Sequence, residues 1–229
     1  MYRTAFKVIF LIFLILIGDE IQAQDWANLE RFREENAQLG QPAPGENRVV
    51  FMGNSITEGW SRHSPSFFEG KPYINRGISG QTTPQMMIRF RPDVIDLEPE
   101  VVVILAGTND IAGNTGPSSL DMIMDNLKSM AELARANDIK VILCSVLPAY
   151  DYPWRPGLRP DEKIPALNEM IKAYALQNNF IYLDYFASMV DERNGLKDKY
   201  TYDGVHPNEA GYLVMGPMAE EAIRKALDK

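Results

Sequence analysis

"VVVILAGTND" occupies residues 101–110, and its first five residues are apolar without a break. A strand with one face in water alternates apolar and polar residues. A strand covered on both faces does not, because both sets of side chains are buried. The run therefore predicts an interior strand of a parallel sheet over 101–107. Gly107 ends it, and the polar Thr108-Asn109-Asp110 follows at its carboxyl end.

The same pattern recurs on either side. Strands are predicted at 48–52 before Gly53, at 73–75 before Arg76-Gly77, at 141–148 (VILCSVLP) and at 180–184. Helical periodicity fills the gaps. Trp26, Leu29 and Phe32 mark a helix over 25–39. Pro84 opens another, with Met87, Phe90, Val94 and Ile95 on one face. Further helices are predicted over 118–136, 161–177 and 208–227. Strands alternating with helices give an α/β fold, a three-layer α/β/α sandwich around a parallel sheet. No repeat, low-complexity segment or linker divides the chain.

The first residues have another character. Arg3 and Lys7 precede an unbroken apolar run from Val8 to Ile17, and Ala23 offers a small residue for cleavage. This predicts a signal peptide over 1–23, too short in its apolar part for the roughly 20 residues of a bilayer span. Residues 24–229 are then one domain, secreted or periplasmic, with no membrane anchor after cleavage. The net charge is −8, which disfavours nucleic acid and anionic surfaces as partners. The single cysteine, Cys144, lies in an apolar run and reads as core.

Ligands of such sheets bind beyond the carboxyl ends of the strands. There the chain places Gly53-Asn54-Ser55, then Gly77-Ile78-Ser79-Gly80-Gln81, then Gly107-Thr108-Asn109-Asp110. Turns favour such residues for their own reasons. A further piece comes from YDGVHP (202–207), where His206 follows Asp203 by three positions. Asp203 can orient one ring nitrogen, and the other can take a proton from the Ser55 hydroxyl. Ser79 is a rival nucleophile that nothing favours. The Ser55 and Gly80 N–H groups and the Asn109 amide are candidate oxyanion donors.

Together GNSIT (53–57), NRGISGQTT (75–83), GTND (107–110) and DGVHP (203–207) resemble the SGNH hydrolases, also called the GDSL esterases and lipases. The resemblance spans residues 48 to about 215. It implies a flavodoxin-like fold, no metal and no cofactor. It also implies hydrolysis of carboxylic esters through an acyl-enzyme, with Ser55 as nucleophile, His206 as acid and base, and Asp203 as orienter. Ser55, Gly80 and Asn109 would form the oxyanion hole. The usual Gly-Asp-Ser is Gly53-Asn54-Ser55 here, which bears on the tuning of the serine turn.

Asn54, Trp60, Tyr152 and Trp154 are candidate substrate-lining residues. Aromatic rings beside a polar site suit sugar faces, so the expected substrate is a small-molecule or glycan ester carrying a short acyl group such as acetyl. The alternatives are a lysophospholipase or lipase acting on lipid esters, and a glycan-binding module without catalysis. A metal-dependent phosphoesterase using Asn109, Asp110 and Asp203 would have few metal ligands to draw on. Oligomeric state is not legible in the sequence.

Overall fold

The computed structural model describes residues 25–228. The expected signal peptide, residues 1–23, lies outside the described residues. Five strands form one parallel sheet: β1 (Val49–Gly53), β2 (Tyr73–Gly77), β3 (Val101–Leu105), β4 (Lys140–Cys144) and β5 (Ile181–Leu183). Their spatial order is β2-β1-β3-β4-β5, the flavodoxin-like order whose winding reverses between β1 and β3.

The described chain also holds eight α-helices, besides three single-turn 3-10 helices: α1 (Arg33–Leu39), α2 (Ser55–His63), α3 (Thr83–Asp93), α4 (Thr108–Ile111), α5 (Leu120–Ala136), α6 (Pro160–Gln177), α7 (Tyr185–Met189) and α8 (Glu209–Leu227). The unbroken apolar run of β3 divides as its pleat requires. Val102 and Ile104 enter one core with Met86 and Phe90 of α3, Leu127 of α5 and Ile171 of α6. Val101, Val103 and Leu105 enter the other, with Trp60 of α2, Tyr185 of α7 and Met215 of α8. Helices cover both faces, so no polar alternation is needed in the strand.

Two expectations fail in instructive ways. The helix expected over 25–39 begins only at Arg33. Asn28 takes φ +55, and the Asp25 carboxylate accepts the N–H groups of Leu29 and Glu30 in a turn. Such side-chain bonds compete with the helix. Trp26 and Leu29 therefore face solvent, and only Phe32 of the expected stripe is buried. The strand expected over 141–148 stops at Cys144. Beyond it, the side chain of Asn168 on α6 holds both the N–H and the carbonyl of Val146, at 2.7 and 3.0 Å. A side-chain amide thus stands where a neighbouring strand would.

The sheet packs closely against α2. A Cβ on Gly77 would lie 2.1 Å from the backbone nitrogen of Glu58, so only glycine fits at the end of β2. Trp60 is 2 % exposed, stacked on Phe67 at 4.4 Å and edge-on to Phe51. It belongs to the core, which corrects its reading as a substrate-lining residue. Its indole N–H has no hydrogen-bond partner among the described residues. Truncation to alanine is expected to cost about 3–5 kcal/mol in urea unfolding. Trp60→Phe is expected to cost much less, since no hydrogen bond is lost.

Candidate active site

β1 delivers the chain to Asn54, which caps α2: its side-chain oxygen accepts the N–H of Ile56 at 3.0 Å. Asn54 is 1 % exposed. It is a helix cap rather than a substrate-lining residue, and it needs no charge for that task. Ser55 follows as the first helical residue. Its N–H has no partner among the described residues, as expected in a first turn.

The Ser55 hydroxyl lies 3.0 Å from His206 Nε2. His206 Nδ1 lies 2.7 Å from one Asp203 oxygen. The other Asp203 oxygen accepts the N–H groups of His206 and Val205, at 2.7 and 2.9 Å. With the ring proton on Nδ1, that N–H donates to Asp203, and Nε2 is free to accept from Ser55. Partial burial pushes the Asp203 carboxyl up, but the bonds from His206 and Val205 outweigh it, so it titrates below the ordinary range. The carboxylate therefore stays charged at neutral pH. The serine and histidine side chains, 151 positions apart in sequence, meet at the carboxyl edge of the sheet. Ser79 is exposed and its N–H donates to Glu58; the histidine bonds Ser55 instead.

The other two candidate donors sit on neighbouring turns. Gly80 has φ +77, a conformation that favours glycine. Its carbonyl accepts from the Asn114 amide, and its N–H has no partner among the described residues. The Asn109 amide donates one hydrogen to the Gln81 carbonyl at 2.9 Å, which leaves its second hydrogen free. Asp110 anchors the same pair of turns. One of its oxygens accepts the Thr83 N–H and hydroxyl, at 3.0 and 2.6 Å.

The aromatic surroundings differ from expectation. Tyr152 is fully buried, with its hydroxyl bonded to Thr108. It does not line the site but supports Trp154, whose ring stacks on it at 5.3 Å. Trp154 is 47 % exposed, and its ring centre lies 5.9 Å from that of His206. Tyr202, which the sequence reading passed over, is 62 % exposed and stacks on His206, also at 5.9 Å. Its position one residue before Asp203 was the available signal. His63, the second histidine, lies in ring contact with Tyr202 and Tyr212.

A cleft of about 710 Å³ lies elsewhere, lined by Phe67, Lys71, Leu213, Pro217 and Arg224 among others, and by none of Ser55, Asp203 and His206. Ser55, Asp203 and His206 lie instead at the carboxyl edge of the sheet, beside the Trp154 and Tyr202 rings. Among the described residues, no group of three or more His, Cys, Asp or Glu could hold a metal ion. No helix among them is long and apolar enough to cross a membrane.

The family model of the GDSL-like lipases and acylhydrolases matches residues 51–214. The solved structure of a GDSL-like lipase from Bacteroides thetaiotaomicron is 53 % identical, with a TM-score of 0.86, over 87 % of this chain and 98 % of that one. An acetylxylan esterase from Xylanibacter ruminicola is 29 % identical over 222 residues, 80 % of this chain and 45 % of the relative. Esterase TesA from Pseudomonas aeruginosa is 29 % identical over 168 residues, 71 % of this chain and 77 % of the relative. This chain thus spans less than half the length of the acetylxylan esterase.

Burial pushes the Asp110 carboxyl up to about 6, against the pull of its bonds from Thr83. Its folded value lies above its unfolded one, so the folded protein holds this proton more tightly between about pH 4 and 6. The contribution of this group to stability rises as pH falls through about 6 and is lost as pH rises. Unfolding of the protein and of Asp110→Asn should therefore diverge. The unsubstituted protein is expected to gain about 2 kcal/mol relative to the variant between pH 7.5 and 4.5.

Proposed function

From the premise that the chain belongs to the GDSL-like lipase/acylhydrolase family, we propose that it is a serine esterase that hydrolyses carboxylic esters through an acyl-enzyme. The observation that carries this reading is the chain from Asp203 through His206 to Ser55, with contacts of 2.7 and 3.0 Å. Ser55 Oγ attacks the ester carbonyl, and His206 Nε2 takes its proton. The carbonyl oxygen becomes an anion, which the N–H groups of Ser55 and Gly80 and the free Asn109 hydrogen receive. Collapse expels the alcohol, which takes its proton back from His206. Water then repeats the cycle on the acyl-enzyme. Asp203 stays charged and holds the ring.

The proposed substrate is a carbohydrate bearing a short acyl group, and the proposed location is outside the cytoplasm, after removal of residues 1–23. Two things support the carbohydrate. One is the likeness to an acetylxylan esterase. The other is the pair of exposed rings beside His206. His206 gives its proton to the departing alcohol, so rings against it flank the leaving group. Flat, exposed aromatic faces suit a pyranose there.

Hydrolysis of a small aryl acetate tests the chemistry. Ser55→Ala is expected to abolish it, and Asp203→Asn to lower kcat about 10³- to 10⁴-fold; equal rates in all three proteins would refute the reading. The substrate is tested separately. Trp154→Ala and Tyr202→Ala should each cost on the order of tenfold in kcat/KM on acetylated xylooligosaccharides, and much less on the aryl acetate. A preference for long-chain acyl esters would overturn the short-acyl carbohydrate assignment.

A further inference from the structure

Helix α3 turns an arginine inward. Arg89 is fully buried, and so is its partner Asp93 one turn later, at 2.9 Å. An ion pair this deep is expensive to desolvate and is weak evidence of a stabilising role. The rest of its guanidinium is bonded in an informative way. One nitrogen donates both to the carbonyl of Gly53, at 3.0 Å, and to that of Arg76, at 2.9 Å. Nε–H donates to the side-chain oxygen of Gln81.

These acceptors are not scattered. Gly53 is the last residue of β1, two before Ser55. Gln81 follows Gly80, and its backbone carbonyl receives the Asn109 amide. One planar group therefore spans the turn that carries the nucleophile and the turn that carries Gly80, to which Asn109 is bonded through the Gln81 carbonyl. We propose that Arg89, acting through Gln81, is the positioning residue that sets the distance between Ser55 and the Gly80 and Asn109 donors. The proposal rests on the acyl-transfer reading above.

The side chain suits that task. Guanidinium is a rigid fork whose N–H directions are fixed relative to each other. A lysine in its place keeps the charge beside Asp93 but cannot hold Gly53, Arg76 and Gln81 in one plane. The same Gln81 carboxamide is held a second time, because its nitrogen donates to the Ala27 carbonyl at 2.7 Å. The carboxamide is thus fixed between the guanidinium and the Ala27 segment. A shift of about 1 Å between reacting groups costs on the order of 100-fold in rate, so a small loosening here should be measurable.

The test compares Arg89→Lys, Gln81→Met and the double variant on a small aryl acetate, with kcat expressed per active site titrated by a serine-reactive phosphonate. We expect each single variant to lower kcat on the order of 10- to 100-fold, with KM changed by less than about threefold. The double variant should be no slower than the slower single one, since both changes cut the same link. A residue that merely supports the fold would lower the melting temperature and the titrated fraction, and leave kcat per site intact. That result, or fully additive losses, overturns the proposal. If Arg89→Lys does not fold, Gln81→Met decides alone: an unchanged kcat overturns it, and a lowered kcat at constant KM supports it. An ester rate that Ser55→Ala leaves intact overturns the acyl-transfer reading itself. A rate that needs Ser55 but survives both variants overturns only the clamp.

Discussion

The parallel pairing of β1 with β3 is the constraint on which the rest depends. The pairing aligns Gly53 with Leu105, so the two strands end side by side and their chains leave in the same direction. Parallel pairing with β2 likewise sets Gly77 opposite Gly53. Three turns thereby converge on one edge, at the point where the winding reverses. Successive connections run to opposite faces there, and a crevice is left between them. Ser55, Gly80 and Asn109 stand on the same edge because of strand register, not because any of them attracts another.

The convergence also shapes the energetics of the layer below. Gly53 ends β1, where its carbonyl also accepts the N–H of Ile78 at 3.1 Å, and Arg76 lies one residue before the end of β2. Arg89 donates to both carbonyls. Its charge is met by Asp93, Asp93 by Asn36, and Asn36 by the second buried arginine, Arg76. Burial lowers the pKa of both arginines, with the acidic neighbours opposing it. Such a network adds little to net stability, yet each member is costly to remove alone, because its partners stay buried without compensation. It fixes geometry more than it contributes free energy.

The fold was legible in the sequence because its signals are local. An apolar run without alternation, a glycine after it and a helical stripe next to it need no knowledge of distant contacts. Ser55, Gly80 and Asn109 were legible as candidates because each stands in a short motif beyond a strand, and Asp203 and His206 because they share one motif just before α8. Arg89 was not. An arginine on an otherwise apolar helix face reads as a solvent residue, since two of its acceptors, the Gly53 and Arg76 carbonyls, come from strands elsewhere in the chain. Trp60 and Tyr152 erred in the opposite sense. An aromatic residue near a site in sequence reads as lining, and only packing shows that Trp60 enters the core and that Tyr152 lies beneath Trp154. The turn at Asp25–Glu30 was hidden for a third reason. One carboxylate competing for backbone donors outweighs a stripe of three apolar residues.

The long separation between Ser55 and His206 has a kinetic meaning. Their hydrogen bond closes a loop of 151 positions. The strap at Ala27, which fixes Gln81, closes another of 54. Loop closure on this scale is slow relative to helix and turn formation, and native contacts of high sequence separation form late. While the chain is still being made, the serine turn exists before the histidine has been joined to it. A partly folded chain can hold a complete sheet edge and still lack its base. The proposed base therefore reaches the serine only when the C-terminal segment joins the sheet, together with the Tyr212–Ile56 bond that spans 156 positions.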